Sequence, residues 1–464
     1  MKKIMKSKTK IIMLVVLSQL LITVVNAENV SISKAERVAE NKCKQDTRTG
    51  YDIKSTYVIY NENNIPLFYV FSLNPKGYII VSADTDLPPV IAYSYTNDLD
   101  TEGFFLEFIK TDLELRSKNL TNIPESVISM RHQQWSELLD FETKSTKDIL
   151  FQQWPPAGTT TTGGWLKTNG HQNSPYNALC PLDGGGIRSI VGCPATAMAQ
   201  ILNFHKTTNN TTFTDADDYY HNYGSGNKYW IDNDYTTRGF PSFSQLNGYL
   251  ATLQQHYDNN TTLTNTDKAA LSFACGVAAT QVYSSNGSGT FGVIQAYNAY
   301  QKFNCTTIEL LYDSDTSLFT RLTQNMKDTL PAHLAVVNAD WSMGHNVVVD
   351  GYNTDNYYHI NWGWGGTYNG WYLLPDEIPY GLTVIEGLII DIMKNNSTTI
   401  ERIENAPLSL RIYPNPTSTS TTIQFPNPEN EKHTLTIYNT TGQMVQTIEN
   451  ITSTEVKVEN KNWD

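Results

Sequence analysis

The sequence predicts an α+β architecture in several units, with a central domain built in two lobes. Three observations carry this. The chain has 464 residues, more than one ordinary domain takes, and its length suggests about three. Hydrophobic residues make up 40% and charged residues 17%, a globular composition able to build a core. Within residues 161–393 helical periodicity comes first and strand patterns follow, the order of an α+β domain.

The elements follow in chain order. "MKKIMKSKTK" carries five lysines and precedes the apolar run "IIMLVVLSQLLITVV" and the small-residue pattern Val25-Asn26-Ala27. This reads as a secretory signal peptide over residues 1–27. A transmembrane anchor is the alternative, but the run of 15 falls short of the roughly 18–20 residues a span needs. In residues 28–145, "SKAERVAENKCK" predicts an amphipathic helix opened by a serine cap, and the run from Ser55 to Thr96 predicts strands broken by Asn-Asn and Pro-Lys-Gly turns. "EGFFLEFIKTDLELRSKNL" and "ESVISMRHQQWSELLDF" predict further helices, making a small α+β unit.

Residues 146–160 mix Pro-Pro with a threonine run and hold no period, as a connector does. Residues 161–393 contain six of the nine tryptophans. Their first half predicts helices at Cys193 and over "NTDKAALSFACGVAATQVY". Their second half predicts strands at "AHLAVVNA", "HNVVVDGY", "YYHINWGW", "GWYLL" and "TVIEGLIIDIM". A polar linker covers 394–407, and residues 408–464 alternate as a small antiparallel β unit.

Charge excludes one class of function. The net charge of −13 argues against a nucleic-acid partner, which would call for a basic patch. No His-x-x-x-His or paired Cys-x-x-Cys spacing is present, so no metal site and no cofactor are expected. Five cysteines, an odd number, leave at least one thiol free or paired outside the chain.

Cys193 is the candidate for chemistry. Pro194 suits a first helical position, and Ala195, Met198, Ile201, Leu202 and His205 recur at helical spacing. A helix N-terminus favours negative charge and lowers a thiol's pKa, which makes the nucleophilic thiolate. Cysteine is also among the most buried residue types, so this stretch alone reads as readily as a core thiol. The base to match it is His345, after Gly344 and before three valines. Asn361 follows 16 residues later, a hairpin's distance, where its side chain could orient the imidazole beneath Trp362 and Trp364. His359 reads as a partly exposed strand residue and His205 as a satisfied core histidine. An oxyanion donor could come from Gln172 together with the Cys193 backbone N–H.

"HQNSPYNALCP", "VGCPATAMAQIL", "GHNVVVDGYN" and "NWGWGG", in this order over residues 160–392, resemble the streptopain family of cysteine peptidases. The resemblance implies a papain-like two-lobed domain hydrolysing protein and peptide substrates. It implies Cys193 as nucleophile, His345 as base, Gln172 in the oxyanion hole, and Asn361 and Trp364 beside the histidine. Trp362, Gly344 and Ser288, in the segment "YSSNGSGT", are implied substrate contacts. Gly170-His171 departs from the tryptophan the family carries two positions upstream of the glutamine. "NPKGYIIVSADTDLPPVIAYS" resembles the family's inhibitory pro-domain, an intramolecular partner. "IYPNPTS" and "LTIYNTTGQMV" resemble a Bacteroidetes-type C-terminal sorting domain, which implies an outer-membrane export machinery as partner and a secreted or surface location. Such domains usually end in a Gly-x-Tyr strand, and this chain ends in "VENKNWD". Two other readings stay open: an inactive binding protein on a peptidase scaffold, and another thiol-dependent acyl transferase such as a transglutaminase or amidase.

Overall fold

The computed structural model describes residues 29–99, 109–141, 151–374, 382–393 and 411–459, with short gaps at 47, within 111–124, at 225–226 and within 414–443. The expected signal peptide and the 394–407 linker lie outside the described residues, as does most of the helix expected after residue 101. The chain divides into two compact units, Met1–Lys394 and Asn395–Asp464.

In the first unit, α1 (Ile32–Gln45) starts after Ser31, whose hydroxyl accepts from the Lys34 N–H. The cap therefore lies two residues ahead of the Ser33 with which the predicted helix opens. Four antiparallel strands follow: β1 (Asp52–Tyr60), β2 (Pro66–Asn74), β3 (Tyr78–Ser82) and β4 (Val90–Ser94). They turn at the expected Asn-Asn and Pro-Lys-Gly sites. α2 (Glu125–Leu139) buries Trp135 and donates its indole N–H to the Leu87 carbonyl at 2.8 Å.

β4 does not end the sheet. It pairs antiparallel with β12 (Gly370–Leu373), Tyr93 opposite Trp371 and Ala92 opposite Tyr372. β11 (Tyr357–Asn361), β10 (Gly344–Asn353), β9 (Ala332–Val337), β13 (Val384–Ile390) and β8 (Glu309–Leu311) continue in that order. The boundary read between residues 28–145 and 161–393 thus falls inside one sheet of 11 strands. Gly370 permits the crossing, since a Cβ there would sit 2.8 Å from the Tyr93 carbonyl oxygen.

The helical lobe is α3 (Cys193–Phe204), α4 (Phe243–Asp258), α5 (Asn265–Ala278) and α6 (Val293–Lys302), with α7 (Leu318–Lys327) against the sheet. α4 and α5 each open with a capping box, Ser242–Gln245 and Thr264–Asp267. A core around Met198, Leu246, Phe273 and Tyr300 holds the helices together, and Ala335, Val348 and Ile389 join it from the sheet. This is the two-lobed α+β arrangement expected.

The connector is less free than its composition suggests. β5 (Gln153–Trp154) pairs with the end of β10, Trp154 opposite Tyr352. Just past it, Thr162 is buried and its carbonyl accepts from the Thr96 hydroxyl at 3.0 Å. Pro156–Thr159 is exposed. The second unit holds a three-stranded sheet, β14 (Arg411–Tyr413), β15 (Ser420–Gln424) and β18 (Glu455–Glu459), and the pair β16 (His433–Tyr438) and β17 (Met444–Ile451). No helix among the described residues is long and apolar enough to cross a membrane.

Candidate active site

Cys193 is the first residue of α3, with Pro194 behind it. Gly192 precedes it with φ +89°, and a Cβ there would lie 2.8 Å from the Ser288 carbonyl oxygen. Only glycine takes that backbone conformation cheaply and admits the Ser288 loop so close. All five cysteines are free thiols. Four are buried, and Cys193 alone is partly exposed.

β10 lies against α3. His345, its second residue, is buried beside two indoles, with ring centroids 5.7 Å from Trp362 and 4.8 Å from Trp364. Its Nε2–H donates to the Trp362 carbonyl at 3.0 Å. That bond leaves Nδ1 as the basic nitrogen in the neutral ring. The expected orienting contact from Asn361 is not made. The Asn361 carboxamide oxygen accepts from the Gly363 N–H at 3.0 Å, bracing the turn, while its Nδ2 is buried without a partner. A main-chain carbonyl one residue later holds the histidine instead.

Asn346 is a residue the sequence did not single out. Its Nδ2 donates toward the Cys193 sulfur at 3.9 Å. Its Oδ1 accepts from His333 Nε2 at 2.7 Å, and His333 Nδ1 meets the Tyr300 hydroxyl at 3.2 Å. His333 and Tyr300 are fully buried. A relay from the core thus fixes which way the Asn346 amide faces. In sequence, Asn346 is one polar position beside a strand's apolar run, and nothing marks it.

Burial works against charge on both groups. Burial pushes the Cys193 thiol above its ordinary range, against hydrogen bonds from Asn346 that favour the thiolate. Burial holds His345 down to about 4, against the Trp362 contact. Among the described residues no hydrogen bond joins the two. Desolvation thus opposes the ionisation that the helix start and Asn346 favour.

Gln172 is half-buried, and its carbonyl accepts from the Val191 N–H at 2.9 Å, tying its segment to the approach to Cys193. The neighbouring Gly170 carbonyl accepts from the Gly365 N–H at 2.7 Å, so this segment also docks on the tryptophan-glycine turn. His171 occupies the family's departure point, and its ring packs where a Gly365 Cβ would stand, 2.9 Å from its Cδ2. Ser288 is half-buried and accepts from the Ser284 N–H at 3.0 Å, bracing its loop beside Gly192. Gly344 is exposed at the start of β10, paired with Val337. Two expectations fail. His359 is buried, with Nδ1 donating to Asp350 at 2.6 Å. His205 is only half-buried, and its Nε2 has no partner. No group of three or more His, Cys, Asp or Glu among the described residues could hold a metal ion.

A free thiol opening a helix that packs on a strand carrying a histidine, between a helical lobe and a sheet, is an arrangement suited to a cysteine peptidase. Comparison with known proteins gives the family. The Peptidase C10 family matches residues 171–372, the Spi protease inhibitor family residues 27–110, and the secretion system C-terminal sorting domain residues 411–463. The chain carries a Peptidase C10 domain of the streptopain family, preceded by a Spi-type inhibitory pro-domain and followed by a sorting domain. Streptopain of Streptococcus pyogenes serotype M28 is 25% identical over 365 residues, covering 73% of this chain and 82% of that protein. The thiol protease/hemagglutinin PrtT of Porphyromonas gingivalis is 25% identical over 372 residues, 76% of this chain and 39% of that one. Among solved structures, a prointerpain A fragment of Prevotella intermedia aligns with TM-score 0.48 at 22% identity, covering 72% of this chain and 97% of that fragment. The protein is a cysteine peptidase made as a zymogen, and its sorting domain marks it for export.

Proposed function

We propose that the chain is a secreted endopeptidase precursor in which Cys193 and His345 form the catalytic dyad. His345 Nδ1 takes the thiol proton as the Cys193 sulfur attacks the substrate carbonyl carbon, and the imidazolium then delivers that proton to the leaving amine as the C–N bond breaks. Water then gives a proton to His345 and attacks the thioester, which releases the acid and restores the thiol. Gln172 and the Cys193 N–H are the donors to the oxyanion in both steps. Trp362 keeps the His345 tautomer through its carbonyl, Trp364 covers the ring, and Ser288 and Gly344 border the bound peptide. Asn361 acts only through the turn it braces.

One observation supports the reading most. The single cysteine that is not buried opens a helix against the strand whose second residue is His345. Activation would follow a cut between about Lys144 and Gly164, a window in which Pro156–Thr159 is exposed. Export would use the signal segment 1–27 and then a machinery that reads residues 408–464. The test is to purify the full chain and its Cys193→Ala variant and follow both peptide hydrolysis and self-processing. The variant should fold, remain uncut and lose at least a thousandfold in turnover. Substantial turnover by folded Cys193→Ala would reject the assignment.

A further inference from the structure

A chamber of about 590 Å³ opens in the helical lobe, on the flank of α3. Its walls are one face of α3 from Thr196 to Asn203, the segment before Gln172, the end of α4 and the start of α5. None of Cys193, His345, Gln172 or Ser288 lines it, so it is separate from the catalytic cleft. Its volume is in the range of small-molecule sites, roughly 300–1,000 Å³.

The wall has two characters. Phe204, Leu263 and Leu271 make it apolar. Lys167, Lys206 and Lys268 also line it, and no Asp or Glu does. Two carboxylates adjoin the lining residues in sequence: Asp267 is buried and engaged by His256 Nδ1 at 2.9 Å and the Thr264 N–H at 2.7 Å, and Asp258 accepts from Gln254 Nε2 at 2.9 Å. Lys206 donates to the neutral Asn260 amide oxygen at 2.7 Å, and Lys268 lies 6.0 Å from the Tyr176 ring centroid. Among the described residues none of the three lysines has a carboxylate partner within ion-pair distance. In a chain of net charge −13, three ammonium groups without a carboxylate partner gather around one apolar hollow. Gln200 also lines the chamber; it is 4% exposed, and its Nε2 is buried without a protein partner.

We propose that this chamber binds an amphipath with one anionic head and an apolar chain of moderate length. The head would meet the lysines, and the chain would lie on the leucines. A purely apolar ligand leaves the ammonium groups without a counter-charge, and a bare anion leaves the apolar wall wet. The site also has a route to the catalytic segment. Gln200 Oε1 accepts from the Gly170 N–H at 2.8 Å, two residues before Gln172.

The experiment is calorimetric titration of the full-length Cys193→Ala chain, so that it reads binding whether or not the peptidase assignment holds. Decanoate and decyl phosphate separate a carboxylate from a phosphate head, with decanol and inorganic phosphate as the split halves. At least one intact amphipath should bind ten times more tightly than decanol or inorganic phosphate. Its affinity should fall as salt screens the lysines. The Lys206→Met, Lys268→Met double variant should weaken it at least tenfold while its melting temperature stays near the parent's. Should that variant misfold, Lys167→Met, on an exposed residue, should still weaken binding severalfold. Decanol matching decanoate, titrations with no heat and no melting shift, or lysine variants that bind like the parent would each overturn the proposal.

Discussion

At the scale of single residues, the thiol's ionisation is where structure and chemistry meet. Asn346 donates to the Cys193 sulfur, and an N–H donor favours the charged form. Asn346→Ala should therefore move the midpoint of alkylation rate against pH upward, with a severalfold loss of thiol reactivity at neutral pH. Asn361→Ala should leave that midpoint and the pH profile of kcat/KM where they are, because the Trp362 carbonyl holds His345. A shift as large as that of Asn346→Ala would return the orienting role to Asn361. His333 and His345 are both held down to about 4 by burial. The unfolded chain binds those protons near pH 6.5, so their contribution to stability is intact above 6.5 and lost as pH falls through 4. Melting of the Cys193→Ala precursor from pH 7 to 4 should thus fall more steeply than that of the same precursor carrying His333→Asn. Cys193 and His345 were legible because a helix start and a strand start leave local marks. Asn346 was not, since its role depends on β9 and α6 bringing His333 and Tyr300 behind it.

At the scale of elements, the β4–β12 seam carries the zymogen's architecture. Tyr93 stacks on Trp371 with centroids 6.2 Å apart, and the Tyr357 hydroxyl donates to the Val90 carbonyl at 2.9 Å. Beside the seam, Lys42 of α1 is 2% exposed and bridges Asp46 at 2.8 Å and Asp355 at 2.9 Å. Its ammonium also lies 4.6 Å from the Tyr93 ring centroid and 5.1 Å from that of Tyr357. Removing one member of such a cluster leaves a buried charge uncompensated, at a cost of about 3–5 kcal/mol. Lys42→Met should lower the precursor's melting temperature and speed its self-processing, and a time course on gels would read the second effect. An unchanged rate would mean that the cluster fixes the fold and not the latency. The strands of both units were legible from their patterns, but their pairing was not. β4 is "VIAYS", buried along its whole length, which reads as a strand covered on both faces without saying by what. The connector misled for a related reason. Its prolines and glycines look loose, yet Trp154 within it and Thr162 just past it find partners on β10 and on Thr96.

At the scale of the whole molecule, function is divided among units that can be separated by cutting. The C-terminal unit has its own strands and its own compactness, and every proposed catalytic residue lies before residue 394. A chain ending at Met393 should hydrolyse peptides at the full chain's specific activity after maturation, and a large loss in a folded truncation would show that the unit does more than deliver. The N-terminal unit is the opposite case. Residues 28–145 number 118, enough to fold around Val38, Phe71, Ile79 and Trp135. Cutting the connector would leave this unit held to the mature enzyme by non-covalent contacts alone, among them the β4 edge, the Lys42–Asp355 bridge and the Tyr93–Trp371 stack. Those contacts need no covalent link, so they should re-form between separate chains. The polypeptide 28–145, shown to be folded by circular dichroism, should inhibit the mature enzyme in trans. Its Lys42→Met variant should inhibit at least tenfold less well, as a lost buried pair would predict. β12 would be a bare sheet edge in the mature enzyme, so a Trp371→Ala mature form should also escape inhibition while retaining hydrolysis. If the folded polypeptide binds without inhibiting, the seam is a folding aid, and latency resides in the connector.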